Sequence, residues 1–162
     1  MGKMLVITPD DEFLVKEYDG YQSLRTEVMG YIETVAVHPN ISNIFHYADN
    51  PDIRDVLCHY LCNEEGSYAS TGYNEKVNAI VTMMYEAPIF GAVVVVKLED
   101  VPVYENGKYS YSEPDDVGFT DEEVDFLKSK LEEIFNEHKD TLKLIHDDLD
   151  DAKKELMEEK ED

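Results

Sequence analysis

The chain opens on an apolar run, Met4-Leu5-Val6-Ile7, which predicts a short strand over residues 3–8. The turn cluster Pro9-Asp10-Asp11 separates it from Phe13–Tyr18, the expected second strand of a hairpin. Between Gly20 and Gly30, the apolar positions Tyr21, Leu24 and Val28 recur at helical spacing and predict a short helix closed by Gly30. Residues 31–37 are rich in β-branched side chains and predict a third strand. Residues 39–51 carry Asn40, Asn43 and Asn50 between two prolines and are expected to form a loop-like insertion. A strand over residues 56–63 follows, ending at the turn Asn63-Glu64-Glu65-Gly66, although Ile53, Val56, Leu57, Tyr60 and Leu61 also fit a helical stripe. Val77, Ile80, Val81 and Met84 share one face of an expected helix over 74–85. Residues 89–98, with four consecutive valines, are the best candidate for a central strand buried on both faces. Residues 101–104 and 109–111 flank Asn106-Gly107, a strong hairpin signal.

The last third changes character. Thr120-Asp121-Glu122-Glu123 is a capping box, in which Thr120 can accept an orphan backbone N–H while Glu123 reaches back. From there an apolar stripe runs through Val124, Leu127, Leu131, Ile134, His138, Leu142, Ile145, Leu149, Ala152 and Leu156 in steps of three or four. A straight helix of about 40 residues would run roughly 60 Å, past a body whose radius of gyration is about 13–14 Å. The segment is therefore expected either to fold back near residues 136–141, with the steps of four about His138 marking the break, or to pair with a second copy as a coiled coil. Together these elements predict an α+β fold: a small, mostly antiparallel sheet with two packed helices and a long acidic C-terminal helix or helical hairpin. The expected organisation is an α+β body over 1–118 and an acidic helical segment over 119–162.

Composition narrows the class. At 162 residues, with 43% apolar and 10% aromatic side chains, the chain can sustain one core without disulfides or metal. No apolar run reaches membrane-spanning length, and the first nine residues lack the pattern of a signal peptide. Two cysteines, Cys58 and Cys62, provide no disulfide framework and suit a reducing cytoplasm. Charge changes the picture most: 37 acids stand against 14 bases, a formal −23. Such a chain is repelled by nucleic acid and anionic membranes and attracted to basic surfaces. Residues 1–120 hold 20 acids and 7 bases, net −13, and residues 121–162 hold 17 and 7, net −10. A net −10 over roughly 60 Å of helix is about one charge per 6 Å, against roughly one per 3.4 Å along a DNA strand. One helix alone is too dilute to imitate a duplex, so mimicry requires acids gathered on one face.

Candidate chemistry is sparse. Cys58 and Cys62 with His59 and His46 could suggest a metal site, but on a strand 58, 60 and 62 share one face while His59 points to the other. Buried free cysteines are the expectation. Asp147-Asp148-Leu149-Asp150-Asp151 lacks the glycine of a calcium loop and reads as a solvated helix face. No nucleophile elbow, zinc-protease, P-loop or dinucleotide signature is present, and Ser67, Ser70 and Thr71 near His59 have no orienting pattern. Glu33 and Glu64 could act as acid and base only if buried together. The expectation is therefore a chain that is not an enzyme and uses no cofactor or metal.

Gly30-Tyr31-Ile32-Glu33, Cys62-Asn63-Glu64-Glu65-Gly66, Tyr73-Asn74, the run from Ile89 to Val96, and Phe119-Thr120-Asp121-Glu122-Glu123 occur in that order. In this order the chain resembles a domain-of-unknown-function family of bacteriophages, plasmids and conjugative elements, over about residues 3–135. The resemblance implies a small α+β fold and a mobile-element origin, and it supplies no catalytic residues. The insertion at 38–55 and the tail after Glu137 depart from the pattern.

Charge and resemblance together predict a non-catalytic phage or mobile-element accessory protein. It is expected to inhibit a host nucleic-acid-acting defence system, of the restriction or CRISPR type, through an acidic surface that mimics nucleic acid. Its partner is expected to be a host protein with a basic surface, a nuclease or another nucleic-acid-binding effector in the bacterial cytoplasm, with no direct binding to nucleic acid or membrane. The chain itself is a monomer, or a homodimer through the C-terminal helix. The partner-facing acids are expected at Asp121, Glu122, Asp125, Glu132, Glu133, Glu137, Asp140, Asp147, Asp148, Asp150 and Asp151. The alternative is a small-ligand protein that binds or sequesters a nucleotide or metabolite, with Asn63, Glu64, Tyr73 and Asn74 lining its pocket.

Overall fold

In the computed structural model, residues 2–28, 32–35, 37, 43–63, 76–86 and 88–149 are described. Six antiparallel strands form one sheet: β1 (Gly2–Ile7), β2 (Phe13–Tyr18), β3 (Ile32–Val35), β4 (Leu57–Asn63), β5 (Val93–Glu105) and β6 (Lys108–Val117). The order across the sheet is β2-β1-β5-β4-β3, with β6 pairing the far end of β5. The fold is α+β.

Both faces of the sheet are covered, and strand alternation assigns the side chains to them. Met4, Val6, Val94 and Val96 pack beneath α1 (Tyr21–Val28) against Leu24 and Val28. Leu5, Ile7, Val93 and Val95 face the larger core with Cys58, Tyr60 and Cys62. That core is closed by α2 (Ala79–Tyr85), a 3-10 turn at Ile44–Tyr47 and α3 (Asp121–Glu137). The four valines thus lie in the central strand, with none of them exposed.

Several boundaries differ from the sequence pattern. Helix α2 begins at Ala79, later than expected among the described residues, because Val77 bridges Phe90 and Asn78 caps the helix. The Asn78 side chain is fully buried, donates to the carbonyls of Ile7 and Gly91 at 2.9 Å each, and accepts from Val81 N–H. Those bonds fix an extended approach that the apolar periodicity cannot report. Strand β5 begins at Val93 because Gly91 sits at φ 85 and breaks the run. Residues 101–104 and 109–111 do flank a hairpin turn at Asn106-Gly107, as expected, and are the outer ends of the longer strands β5 and β6. The insertion is more than a surface loop, since Ile44, Phe45 and Ala48 are buried and Phe45 lies 5.8 Å from Phe119 and 5.3 Å from Phe126 between ring centroids.

At its C-terminal end α3 stops at His138, whose φ −121 and ψ 24 leave the helical range, and residues 139–149 are helical again. The break is where the sequence stripe takes two successive steps of four, Ile134 to His138 to Leu142. It lets Leu142 enter the same core as Leu127 and Leu131, and His146 Nε2 lies 3.0 Å from Asp11 in the β1–β2 turn. Residues 150–162, with Ala152 and Leu156, lie outside the described residues, as does the Asn63-Glu64-Glu65-Gly66 turn beyond Asn63. No helix among the described residues is long and apolar enough to cross a membrane.

After β6 the chain crosses β1 closely. Strand β1 pairs β5 only from Leu5 to Ile7, while the end of β6 pairs β5 at Lys97↔Val117. The chain then meets β1 again: Lys3 and Phe119 exchange two backbone hydrogen bonds of 2.8 Å. Gly2 and Gly118 touch there, and a Cβ on Gly118 would stand 2.3 Å from Gly2 Cα.

Candidate acidic interface

Helix α3 presents one acidic face. The complete capping box at Thr120 and Glu123 fixes its start, and Val124, Leu127 and Leu131 hold it on the core. At about 100° per residue, Asp121, Glu122, Asp125, Glu132, Glu133 and Glu137 fall within roughly 160° on the side away from that stripe. All six are exposed, as are Asp140, Asp147 and Asp148 on the following helical stretch. Lys128 approaches Glu132 at 4.0 Å and Lys130 approaches Glu133 at 3.4 Å, leaving most of the face uncompensated. Asp150 and Asp151 lie outside the described residues.

Glu123, in contrast, is buried at 5% exposure. Its carboxylate accepts the Thr120 N–H at 2.8 Å and the Lys97 ammonium at 3.0 Å, tying the start of α3 to β5. Beside this pair lies an open groove of about 460 Å³. Asp52, Asp55, Glu99, Asp100 and Glu123 line it against the single ammonium of Lys97, a net −4. The groove and the α3 face are continuous, because the Asn50 amide donates to Glu122 two residues before Asp52.

The acids continue onto β6. Glu99 lies directly opposite Asp115, and Leu98 opposite Asp116. Asp116 is paired with His59 Nδ1 at 3.1 Å, whereas Asp100 and Glu113 have no ion pair among the described residues. The local field is felt by Tyr18, which donates to the Asp116 carbonyl at 2.9 Å. Burial raises its pKa first, and the carboxylates of Asp116 and Asp115 raise it further. Among the described residues no three His, Cys, Asp or Glu side chains are placed to hold one metal ion.

Of the other candidate residues, only some lie among those described. Asn63 spends its amide on the Val28 carbonyl at 3.2 Å, while Glu64, Tyr73 and Asn74, like Ser67, Ser70 and Thr71, lie outside the described residues. Cys58 and Cys62 are buried and not disulfide-bonded, and burial pushes their thiols up to about 12 and about 11, the latter helped by Glu33. Tyr60, fully buried, has the Cys58 thiol as its polar neighbour. Asp52, Asp55, Glu99, Asp100, Glu113, Asp115 and Asp116 were not singled out from the sequence. For the five on β5 and β6 the signal was the hairpin turn at Asn106-Gly107, which places acid-bearing strands opposite each other, whereas Asp52 and Asp55 carried no local signal. No family model, curated protein or solved structure matches the chain.

Proposed function

We propose that the chain is a non-catalytic binding protein whose acidic surface occupies a basic, nucleic-acid-binding groove on a partner protein. The observation that carries this reading is the join between two acid sets, the groove at net −4 and the outward face of α3. Basic nucleic-acid grooves bind polyanions largely by charge, so a folded surface with clustered carboxylates competes for the same cations. The resemblance to a mobile-element family makes a host restriction or CRISPR-type nuclease the partner class to test first. Inhibition then consists of displacing DNA or RNA from that groove, without chemistry by this chain.

The test is competition. Purified nucleases of these classes are titrated with the full chain, and nucleic-acid binding is read by fluorescence anisotropy at low and high salt. The expected result is displacement that weakens with salt and is lost in a variant carrying Asp52→Asn, Asp55→Asn, Glu99→Gln and Asp100→Asn. Displacement by no member of the panel, even at low salt, overturns the reading, as does equal displacement by the neutralised variant.

A further inference from the structure

A second cavity, of about 380 Å³, adjoins the acidic groove. Asp55, Val56 and Leu57 line both, so these three residues form a common wall. Beyond the wall stand Asn43, His46, Tyr47 and Arg54, and there the excess of acid ends. In this niche the Arg54 guanidinium faces Asp55 as the one carboxylate of the lining, whereas the groove is at net −4.

Arg54 is held along one edge. Its Nε donates to the Ala48 carbonyl at 2.8 Å and its Nη2 to the Asp49 carbonyl at 3.1 Å. Those two donors share one side of the planar guanidinium, so the end formed by Nη1 and Nη2 keeps donors for a further acceptor. Among the described residues Nη1 has no protein partner. A fork fixed in advance by loop carbonyls loses less freedom when it binds. Asn43 precedes the 3-10 turn without capping it, so its amide can donate into the niche, and the His46 ring can offer an N–H. The Tyr47 ring stands edge-on to His46 at 5.4 Å and is 64% exposed, and Leu57 on the wall is 47% exposed. A fork, two further donors and two uncovered apolar surfaces therefore stand together, a set that fits a carboxylate with an apolar group beside it.

We infer that the two cavities together take the C-terminal end of a partner chain. Its carboxylate sits on Arg54, its last, apolar side chain lies over Leu57 and Tyr47, and an arginine or lysine two residues earlier enters the acidic groove. Charge complementarity selects this occupant. A polyanion such as nucleic acid, or a free phosphate, is repelled by the net −4 groove beside the niche. A segment with a cation and a carboxylate a short way apart suits both cavities. A chain end fits better than an internal Asp or Glu, because its carboxylate and its apolar side chain belong to one residue. Neighbours in an extended segment point to opposite sides, whereas the residue two before the end points the same way, about 7 Å off. The inference rests on the acidic-surface reading and deepens it, by naming which part of a basic partner enters the groove.

The experiment titrates the isotope-labelled full chain with N-acetylated peptides and reads backbone amide NMR shifts at low and high salt. The peptides are Ala-Ala-Arg-Ala-Leu with a free carboxylate, the same peptide as its C-terminal amide, and the free acid with Gln in place of Arg. On an acidic surface without the niche the amide binds more tightly, because it carries one negative charge fewer. The inference expects the reverse: the free acid binds about tenfold tighter than the amide and about tenfold tighter than the Gln peptide. The free acid should also shift amides at residues 43–47 and 54–57 that the amide leaves unmoved. In Arg54→Gln the preference for the free acid is expected to vanish. Arg54 also ties down the loop at Ala48 and Asp49, so if that variant does not fold, the peptide comparison on the unaltered chain decides by itself. Amide binding as tight as the free acid, equal binding of the Arg and Gln acids, or a free-acid preference kept in Arg54→Gln overturns the chain-end site alone. No salt-sensitive binding of either arginine peptide overturns the acidic-surface reading with it.

Discussion

Replacing Gly118 by alanine tests the close backbone crossing between β1 and the segment that follows β6. A Cβ at this position meets Gly2 Cα at 2.3 Å, the Gly2 carbonyl carbon at 2.7 Å and the Lys3 nitrogen at 3.0 Å. All three are backbone atoms, so no side chain can rotate away. Ordinary contact begins near 3.4 Å, and the two segments must part by about 1 Å. The hydrogen bonds between Lys3 and Phe119, now 2.8 Å in both directions, then stretch beyond useful length. Losing both costs about 1–3 kcal/mol. Alanine recovers about 0.4–1 kcal/mol by restricting the unfolded chain, so the net loss is about 1–2 kcal/mol. For a domain of this size that lowers the melting temperature by roughly 2–8 °C. Calorimetry reads the shift, and hydrogen exchange should show the Lys3 and Phe119 amides losing protection. Gly20→Ala is the control: it has nothing within 4 Å but a φ of +79, so it should destabilise without exposing those amides. If Gly118→Ala melts at the wild-type temperature with both amides protected, the close approach is not there and the reasoning fails.

Two further outcomes follow from buried groups. Lys97→Met leaves the Glu123 carboxylate buried with the Thr120 N–H but without its ammonium, and should cost about 2–4 kcal/mol in urea unfolding. Adding Glu123→Gln should recover part of that loss, and additive losses in the double-mutant cycle would show that the pair is not coupled. For Cys58 and Cys62, burial raises the folded pKa to about 12 and about 11 from the ordinary thiol value of 9.0. The stabilisation from keeping these thiols neutral is therefore complete below pH 9 and is lost as pH rises through 11 to 12. Stability measured against pH should fall over that window, more shallowly in Cys58→Ala/Cys62→Ala, and an identical slope in the two proteins refutes the assignment to the thiols.

Much of the fold was legible because alternation and helical spacing report burial directly. The hairpin of β1 and β2, the central valines and the capping box of α3 follow from residues within a few positions of one another. The expected break at His138 coincides with the end of α3, because only there does the apolar stripe require a change of direction to keep Leu142 on the core. The interface was less legible, for two reasons. The groove acids come from three separate segments, and no local pattern reports that Asp52, Asp55, Glu99 and Glu123 meet. A β-bulge in the β5–β6 pairing is the second reason. Extending a regular hairpin from Asn106-Gly107 sets Glu99 opposite Pro114, whereas the shift at Val103/Tyr104 moves every later pair by one and sets Glu99 opposite Asp115. A one-residue slip exchanges the faces, so the sequence alone conceals that Glu99 and Asp115 stand opposite each other.

The two acid sets differ in weight. On α3 six exposed acids stand against two lysines over 17 residues, about 26 Å at 1.5 Å each, or roughly one net charge per 6 Å. That is about half the linear density of a DNA strand. The groove holds the same net charge within a far shorter span, beside low-dielectric walls that strengthen its field. Helix α3 therefore reaches a nucleic-acid-like density only at its N-terminal end, where Asp121 and Glu122 adjoin Asp52 and Asp55. The buried Lys97–Glu123 pair holds the two sets at that junction. It subtracts one carboxylate from the surface and, with the capping box, the Asn50–Glu122 bond and the buried Val124, Leu127 and Leu131, sets the spacing between the acids of helix and groove.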